Sequence, residues 1–191
     1  MSENRETTRA SVRDDAATSN VNTEVPVIAF VGKGDSGKTT FVEKVIRELV
    51  ASGVRVATVK HHVHDYEIDV PGKDSWRHAR AGATTTMVSS PDKFSMIQKV
   101  DRERSLAELA QFAADSGCDV LLAEGYKVAG MHRIEVSRLG RSSEPLSSGP
   151  EDAIALVTDN PALATLGIPM YSLDDAADIA VLIQTRFLGE R

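Results

Sequence analysis

The chain has 191 residues, 41% hydrophobic and 26% charged, with a net charge of −6 and an isoelectric point near 5.4. That length suits one domain, and the acidic balance disfavours nucleic acid as a general partner. No stretch reaches the roughly 18 apolar residues of a membrane span, and the start of the chain lacks the apolar centre of a secretory signal, so a cytoplasmic protein away from membranes is expected. A single cysteine, Cys118, excludes an intramolecular disulfide and any multi-cysteine metal site within one chain. It lies beside an apolar run and is expected to be a buried, inert thiol.

In chain order, residues 1–24 are polar, carry charges of both signs and have almost no large apolar residues. Such a segment cannot offset its ordering entropy, and a disordered tail is expected. Folding is expected over 25–191. "VPVIAFVG" is a continuous apolar run ending in glycine, the pattern of a strand buried on both faces. "KTTFVEKVIRELVASG" puts Phe41, Val42, Val45, Ile46 and Leu49 on one helical face, closed by Ser52-Gly53. "VRVATVK" is a second strand, and the three together have the size of a βαβ unit with a parallel pair. A polar loop, "HHVHDYEIDVPGKDS", precedes a short helix in "WRHARAGA" ended by Gly82. "TTTMVSS" and "KFSMIQKV" are strands that can pair around Pro91-Asp92. "RSLAELAQFAADSG" is a helix and "CDVLLAEG" a buried strand. "HRIEVSR", "AIALVTD" and "IPMYSL" are further strands, and "DDAADIAVLIQTRFL" is a terminal helix. Alternating strands and helices indicate an open, mostly parallel sheet covered on both faces.

The first strand and first helix are joined by "GKGDSGKTT", with Gly32, Gly37, Lys38 and Thr39 at the spacing G-x-x-x-x-G-K-T. Glycines let backbone N–H groups close around phosphate oxygens, and the helix that follows presents its positive end to them. Lys38 is placed to reach the outer phosphates and the Thr39 hydroxyl to bind Mg²⁺. Gly32, Lys33, Gly34, Asp35, Ser36, Gly37, Lys38, Thr39 and Thr40 are therefore the candidate nucleotide-binding residues. The fold class that follows is α/β, a three-layer P-loop NTPase fold with a mostly parallel sheet. Lys33 makes the loop resemble the variant cradle of ParA- and nitrogenase-iron-protein-like ATPases, although Asp35 stands where those proteins usually have a second glycine. A solvated loop lysine is the plainer reading.

The loop after the second strand offers carboxylates for Mg²⁺ or water, Asp65, Glu67, Asp69 and Asp74 among them. It also offers three imidazoles, His61, His62 and His64, whose spacing matches no standard zinc site. Pro71-Gly72 makes a turn, Asp74-Ser75 can cap the next helix, and Lys73 is held where it could meet a phosphate of a second ligand. Glu124 ends a central strand at the carboxyl edge, where ligands sit in parallel sheets, so it is the second candidate beside Mg²⁺. Gly125 lets the chain turn away, and Tyr126 and Lys127 then project into the cleft. Asp119 begins the same strand at the opposite edge and is discounted as a ligand.

"KHHVHDYEIDVPGKDSWRHARAGA", the cradle, "CDVLLAEGYK" and "RIEVSR" together resemble the molybdopterin-guanine dinucleotide biosynthesis adapter family, MobB. The likeness runs from about Val25 to the C-terminal helix. Lys33, where the family more often has an uncharged residue, Ala123, where valine is usual, and the long N-terminal tail depart from it. The resemblance implies GTP and Mg²⁺ as ligands, with weak hydrolysis at most, and Asp69 and Glu124 as the acids of any such step. It implies a homodimer that assists a MobA-type guanylyltransferase joining GMP to molybdopterin. His61, Lys73, Tyr126 and Lys127 are then candidates to meet the partner, molybdopterin or molybdopterin guanine dinucleotide.

Two other readings stay open. A nickel-type metallochaperone GTPase is suggested by the histidines, but the chain lacks a Cys-Pro-His motif and a histidine-rich tail. A non-catalytic adapter would use nucleotide as a structural ligand only. Base choice falls to Asp159, at the carboxyl end of "AIALVTD". A carboxylate accepts from both guanine N1–H and its 2-amino group, whereas adenine presents an acceptor there. The companion motif N-K-x-D is absent, and capping the turn at Asn160-Pro161 is the other role open to this residue.

Overall fold

A computed structural model describes residues 23–62, 66–126, 131–141 and 144–189. His64, Asp65, Lys127 and nearly all of the expected tail lie outside these residues. Six strands form one sheet in the order β2-β5-β1-β6-β7-β8, every neighbouring pair parallel. They are β1 (Val27–Val31), β2 (Val56–Lys60), β5 (Val120–Glu124), β6 (His132–Ser137), β7 (Ala155–Thr158) and β8 (Met170–Tyr171). The strand expected in "IPMYSL" reduces to the two half-buried residues of β8, as befits an edge. The remaining strands, β3 (Thr85–Ser89) and β4 (Phe94–Gln98), form a separate antiparallel hairpin.

The period-2 alternation of the central strands sorts their side chains into two layers. Ile28, Phe30, Val120, Leu122, Ile134 and Val136 face α1 (Lys38–Ala51) and α4 (Ala176–Ile183), whose Phe41, Val45, Leu49, Ile179 and Ile183 are buried against them. On the other face Val27, Leu121 and Ala123 meet Leu106, Ala110 and Ala113 of α3 (Leu106–Asp115). A 3₁₀ helix over Pro161–Leu166 covers Leu156 on that side with Leu163. Each fully buried large aliphatic or aromatic side chain contributes about 1.5–3 kcal/mol, so helices and sheet are held as one three-layer body. The C-terminal helix changes to a π-helical turn over Gln184–Leu188. Cys118 is half-buried against the α3 layer.

The last helix, α2 (Asp74–Arg80), corrects one local expectation. Its N-cap is Lys73, with no side-chain cap; Asp74 is already helical, and the Ser75 hydroxyl donates to Asp69 instead, at 3.1 Å. Reaching back to an earlier carboxylate competes with capping for that hydroxyl.

Helix α3 begins with a complete capping box. Ser105 Oγ accepts from the Glu108 N–H at 3.2 Å, and Glu108 Oε2 accepts from the Ser105 N–H at 2.8 Å. The two terminal nitrogens of the Arg102 guanidinium also donate to Glu108, at 2.8 and 2.9 Å. Chiefly through the Arg102 bonds, then through Ser105, the Glu108 carboxyl is held down at about 2. Its folded pKa lies below its ordinary value, so its contribution to stability is complete above the ordinary carboxylate range and is lost as pH falls toward about 2. Glu108→Gln is expected to lower the melting temperature at neutral pH, and thermal melts should show the gap to wild type closing as pH falls toward 2.

Candidate functional site

The cradle sits at the carboxyl edge of the sheet, between the ends of β5 and β6. It takes three positive-φ residues to fit, Gly32, Asp35 and Gly37. Gly32 has φ 150°, and a Cβ there would collide with the Val136 carbonyl and lie 2.9 Å from Ser36 Oγ. Asp35, the departure from a glycine-rich loop, is the sole non-glycine with positive φ (57°) among the described residues. Aspartate tolerates that left-handed region better than most side chains.

Lys38 reaches back over the loop, its Nζ donating to the carbonyls of Gly32 at 2.9 Å and Lys33 at 2.7 Å. Ser36 is buried, while Lys33, Gly34, Asp35, Thr39 and Thr40 are exposed. Gly37, in the left-handed conformation at φ 86°, is the N-cap of α1. Here α1 differs from α3: it has no side-chain cap and no acidic residue in its first turn. The first N–H groups of a helix have no partners within it. With no carboxylate or hydroxyl spent on them, the loop and helix end are an electropositive concavity suited to anionic oxygen.

Glu124 is brought to this loop across the β1–β5 pairing. Its Oε1 accepts from Thr39 Oγ1 at 2.7 Å and lies 3.4 Å from Lys60 Nζ. Lys60 ends β2, in register with Glu124, and sequence reading passed over it. Its signal was available: it closes a strand predicted to be parallel, at the same edge as the cradle. The hydroxyl and carboxylate together are hard oxygen donors of the kind Mg²⁺ takes.

Asp69 is placed differently. Its Oδ1 accepts from the Val70 N–H at 2.8 Å and from Ser75 Oγ, tying down the loop before α2. Its Oδ2 is buried without a hydrogen-bond partner. The described contacts bring Thr39 and Glu124 together and leave Asp69 with its own loop. Lys73 is exposed at the end of that loop, its N–H donating to the Val70 carbonyl at 3.1 Å.

His61 and Tyr126 do meet, with ring centroids 5.1 Å apart, and His61 Nε2 lies 3.1 Å from Glu103 Oε1. The His61 N–H donates to the Glu124 carbonyl at 2.9 Å, so this cluster adjoins the acid. Burial, then the charge of Glu103 and the neighbouring Tyr66, raises the Tyr126 pKa and keeps the phenol protonated. His62 instead faces Tyr66, with ring centroids 6.1 Å apart. Among the described residues no group of three or more His, Cys, Asp and Glu side chains is arranged to hold a metal ion. Asp119 stands before β5 at the opposite sheet edge, where it pairs with Arg55, its Oδ1 3.1 Å from Nη2.

At the other flank, Asp159 Oδ1 accepts from the Leu139 N–H at 2.6 Å. The turn at Asn160-Pro161 is capped by Asn160 itself, whose Oδ1 accepts from the Ala162 N–H at 3.1 Å. Asp159 therefore braces the loop after β6. A second residue that sequence reading passed over is Glu135, 1% exposed, whose carboxylate accepts from the N–H groups of Leu146 and Ser147 at 2.7 and 2.8 Å. It anchors the polar loop beyond β6 to the sheet. An acid in the middle of the strand "RIEVS" was the signal, because a buried carboxylate requires donors.

Parallel sheet, helices on both faces and a G-x-x-x-x-G-K-T loop between the first strand and helix define a protein of the P-loop NTPase fold. Within that class the chain belongs to the MobB family: the sequence profile described as "Molybdopterin guanine dinucleotide synthesis protein B" matches residues 27–159. It is 33% identical over 141 residues to the molybdopterin-guanine dinucleotide biosynthesis adapter protein of Haemophilus influenzae, covering 74% of this chain and 79% of that one. With the adapter protein of Escherichia coli it shares 32% identity over 161 residues, 83% of this chain and 91% of the relative. The crystal structure of Bacillus subtilis MobB superposes with a TM-score of 0.66 at 27% identity, over 86% of this chain and 99% of that one.

The glycines of the cradle make contrasting demands. At Gly34 a Cβ would meet nothing within 4 Å and φ is not positive, whereas at Gly32 both the angle and the Val136 carbonyl forbid it. Gly32→Ala is expected to destabilise the fold by about 1–3 kcal/mol from the backbone angle alone, and Gly34→Ala to leave stability within about 0.5 kcal/mol of wild type. Urea unfolding of the two variants checks the difference.

Proposed function

We propose that this protein is a GTP-binding adapter of molybdenum cofactor biosynthesis, assisting the guanylyltransferase that forms molybdopterin guanine dinucleotide. The observation that carries the reading is the pairing of an uncapped helix end at a glycine-rich cradle with the Thr39–Glu124 bond beside it, in a chain of the MobB family. The names of the Haemophilus influenzae and Escherichia coli relatives support the pathway.

In this reading the backbone of residues 32–37 and the first turn of α1 take the phosphates. Lys38 exchanges the loop carbonyls for phosphate oxygens, so its charge is held at the mouth of the cradle and needs little reorganisation. Thr39 and Glu124 are the residues that would hold Mg²⁺, and the ion would supply charge neutralisation for the triphosphate. Lys60, against the same carboxylate oxygen, restrains Glu124 and keeps local charge balanced. Asp69 is bound to Ser75 and the Val70 N–H, and Glu124 is the described acid bonded to a cradle hydroxyl. Weak hydrolysis fits this economy, and an adapter that senses nucleotide fits it better than an engine.

The β3–β4 hairpin supports the dimer. An isolated two-stranded hairpin is marginal in water and needs a further surface to cover it. Here all of β4 is exposed, and Met87, Phe94 and Met96 lie on one face, with Phe94 59% exposed. In this reading a second copy of the chain covers that face. His61, Tyr126 and Lys73, on the β2 side of the cradle, are left to the guanylyltransferase or its pterin ligand.

Lys38→Ala is expected to cost on the order of 1.5–3 kcal/mol in GTP affinity, the loss of a charge-assisted contact, with an unchanged melting temperature. Calorimetry that gives the variant wild-type affinity would remove the cradle from the reading, and GTP turnover with and without a guanylyltransferase separates an adapter from a GTPase. Base choice has its own check. Asp159→Asn should weaken GTP and improve XTP, because the amide donates to the 2-carbonyl of xanthine; a variant that keeps the wild-type preference for GTP would leave Asp159 with the bracing role alone.

A further inference from the structure

The end of β6 carries a feature that neither the cradle nor the acids explain. Arg138 follows the strand directly and is exposed, yet its guanidinium lies against the phosphate loop. A Cβ placed on Gly37 would stand 3.5 Å from Nη2, 3.7 Å from Cζ and 3.9 Å from Nε. Three atoms of the group at such similar distances place it alongside the loop rather than in passing contact with one atom. A Cβ at 37 would only touch the group, so glycine is required there by its positive φ of 86° and not by the guanidinium. The guanidinium has no ion pair or hydrogen bond with a described residue, although the chain is acidic. Its backbone is well fixed: the Arg138 carbonyl accepts from the Arg141 N–H at 3.0 Å, and the adjoining Leu139 N–H is held by Asp159.

Direction comes from the sheet order. β1, which carries the cradle, stands between β5 and β6. Thr39 and Glu124, the pair assigned above to the metal, lie on the β5 side. A nucleoside triphosphate is a chain with its metal-binding phosphates at one end. With that end toward β5, the nucleoside leaves over β6 and β7, where Arg138 and Asp159 stand. A second observation marks the same strand end. Ser137, 3% exposed, has a buried hydroxyl with no hydrogen-bond partner. Leaving such a group unpaired carries a cost that a folded chain rarely tolerates without a use.

We propose that Arg138 is the platform for the nucleoside end of the bound nucleotide, its planar guanidinium stacking on the base beside the cradle. The assignment rests on the nucleotide-binding reading above. Arginine suits the position because its plane is rigid and its charge is weakly hydrated, so it covers a ring at little cost in lost water. It also accounts for a base site without N-K-x-D: stacking from β6 supplies affinity for a ring, and the β7 edge is left to choose which ring.

The test compares GTP with inorganic triphosphate, each with Mg²⁺, by calorimetry on the full chain as wild type, Arg138→Ala and Arg138→Lys, with melting temperatures as the control for folding. Arg138→Ala is expected to weaken GTP on the order of tenfold, one guanidinium–ring contact, and to change inorganic triphosphate by less than about twofold. Arg138→Lys, which keeps the charge and loses the plane, should resemble alanine for GTP. Equal losses for both ligands would make Arg138 a phosphate clamp and overturn the platform, as would GTP affinity unchanged in both variants. A wild-type chain that binds neither ligand would overturn the nucleotide reading itself and the platform with it.

Discussion

The structure depends on how closely the phosphate loop is pressed into the edge of the parallel sheet. At Gly32 no side chain fits between the loop and the Val136 carbonyl. That proximity turns two neighbouring strand ends into the walls of a site. β5 delivers Glu124 to the Thr39 hydroxyl, and β6 delivers Arg138 to Gly37. Parallel pairing is what makes this possible, since it brings the carboxyl ends of all six strands to one edge. The cost falls on backbone geometry: Gly32, Asp35 and Gly37 all take positive φ within six positions.

Around that edge the side chains divide by task. Some brace: Glu135 holds the loop after β6, Asp159 holds Leu139, and Asp69 holds the turn before α2. Others remain at the mouth: Glu124 stands between Lys60 and the Thr39 hydroxyl, and Lys38 and Arg138 lie against the loop. Glu135 is committed to its loop, because breaking its bonds to bind a ligand would strand the buried Ser147 N–H. This separates structural acids from the one acid that shares its oxygen with a cradle hydroxyl.

The hairpin has a different character. It is a separate sheet with α2 beside it, and it exposes methionine and phenylalanine among the described residues. The main body needs nothing further, since its sheet is covered on both faces. The cradle and the hairpin are thus separate parts of the fold, on either side of the segment that carries His61, Asp69 and Lys73.

Much of this was legible in the order of residues. Continuous apolar runs announced strands buried on both faces, the 3.6-residue spacing of Phe41, Val45 and Leu49 announced α1, and G-x-x-x-x-G-K-T between them marked the cradle, because these are local patterns with local causes. The combination of cradle, P-G-K-D-S and E-G-Y-K was enough to place the chain in its family. Pairings between distant residues were not legible. Glu124 finds Thr39 across 85 positions, Lys60 joins them only because β2 lies beside β5, and Asp159 meets the Leu139 N–H through the β6–β7 pairing. Ser75 turned to Asp69 instead of capping its helix, a competition between two acceptors that spacing cannot rank. Sequence determined which segments are strands, helices and cradle, because hydrophobic period and glycine spacing act within a few residues. Strand order alone decided which charges stand beside the cradle, because neighbours in a parallel sheet are set by the packing of the whole chain.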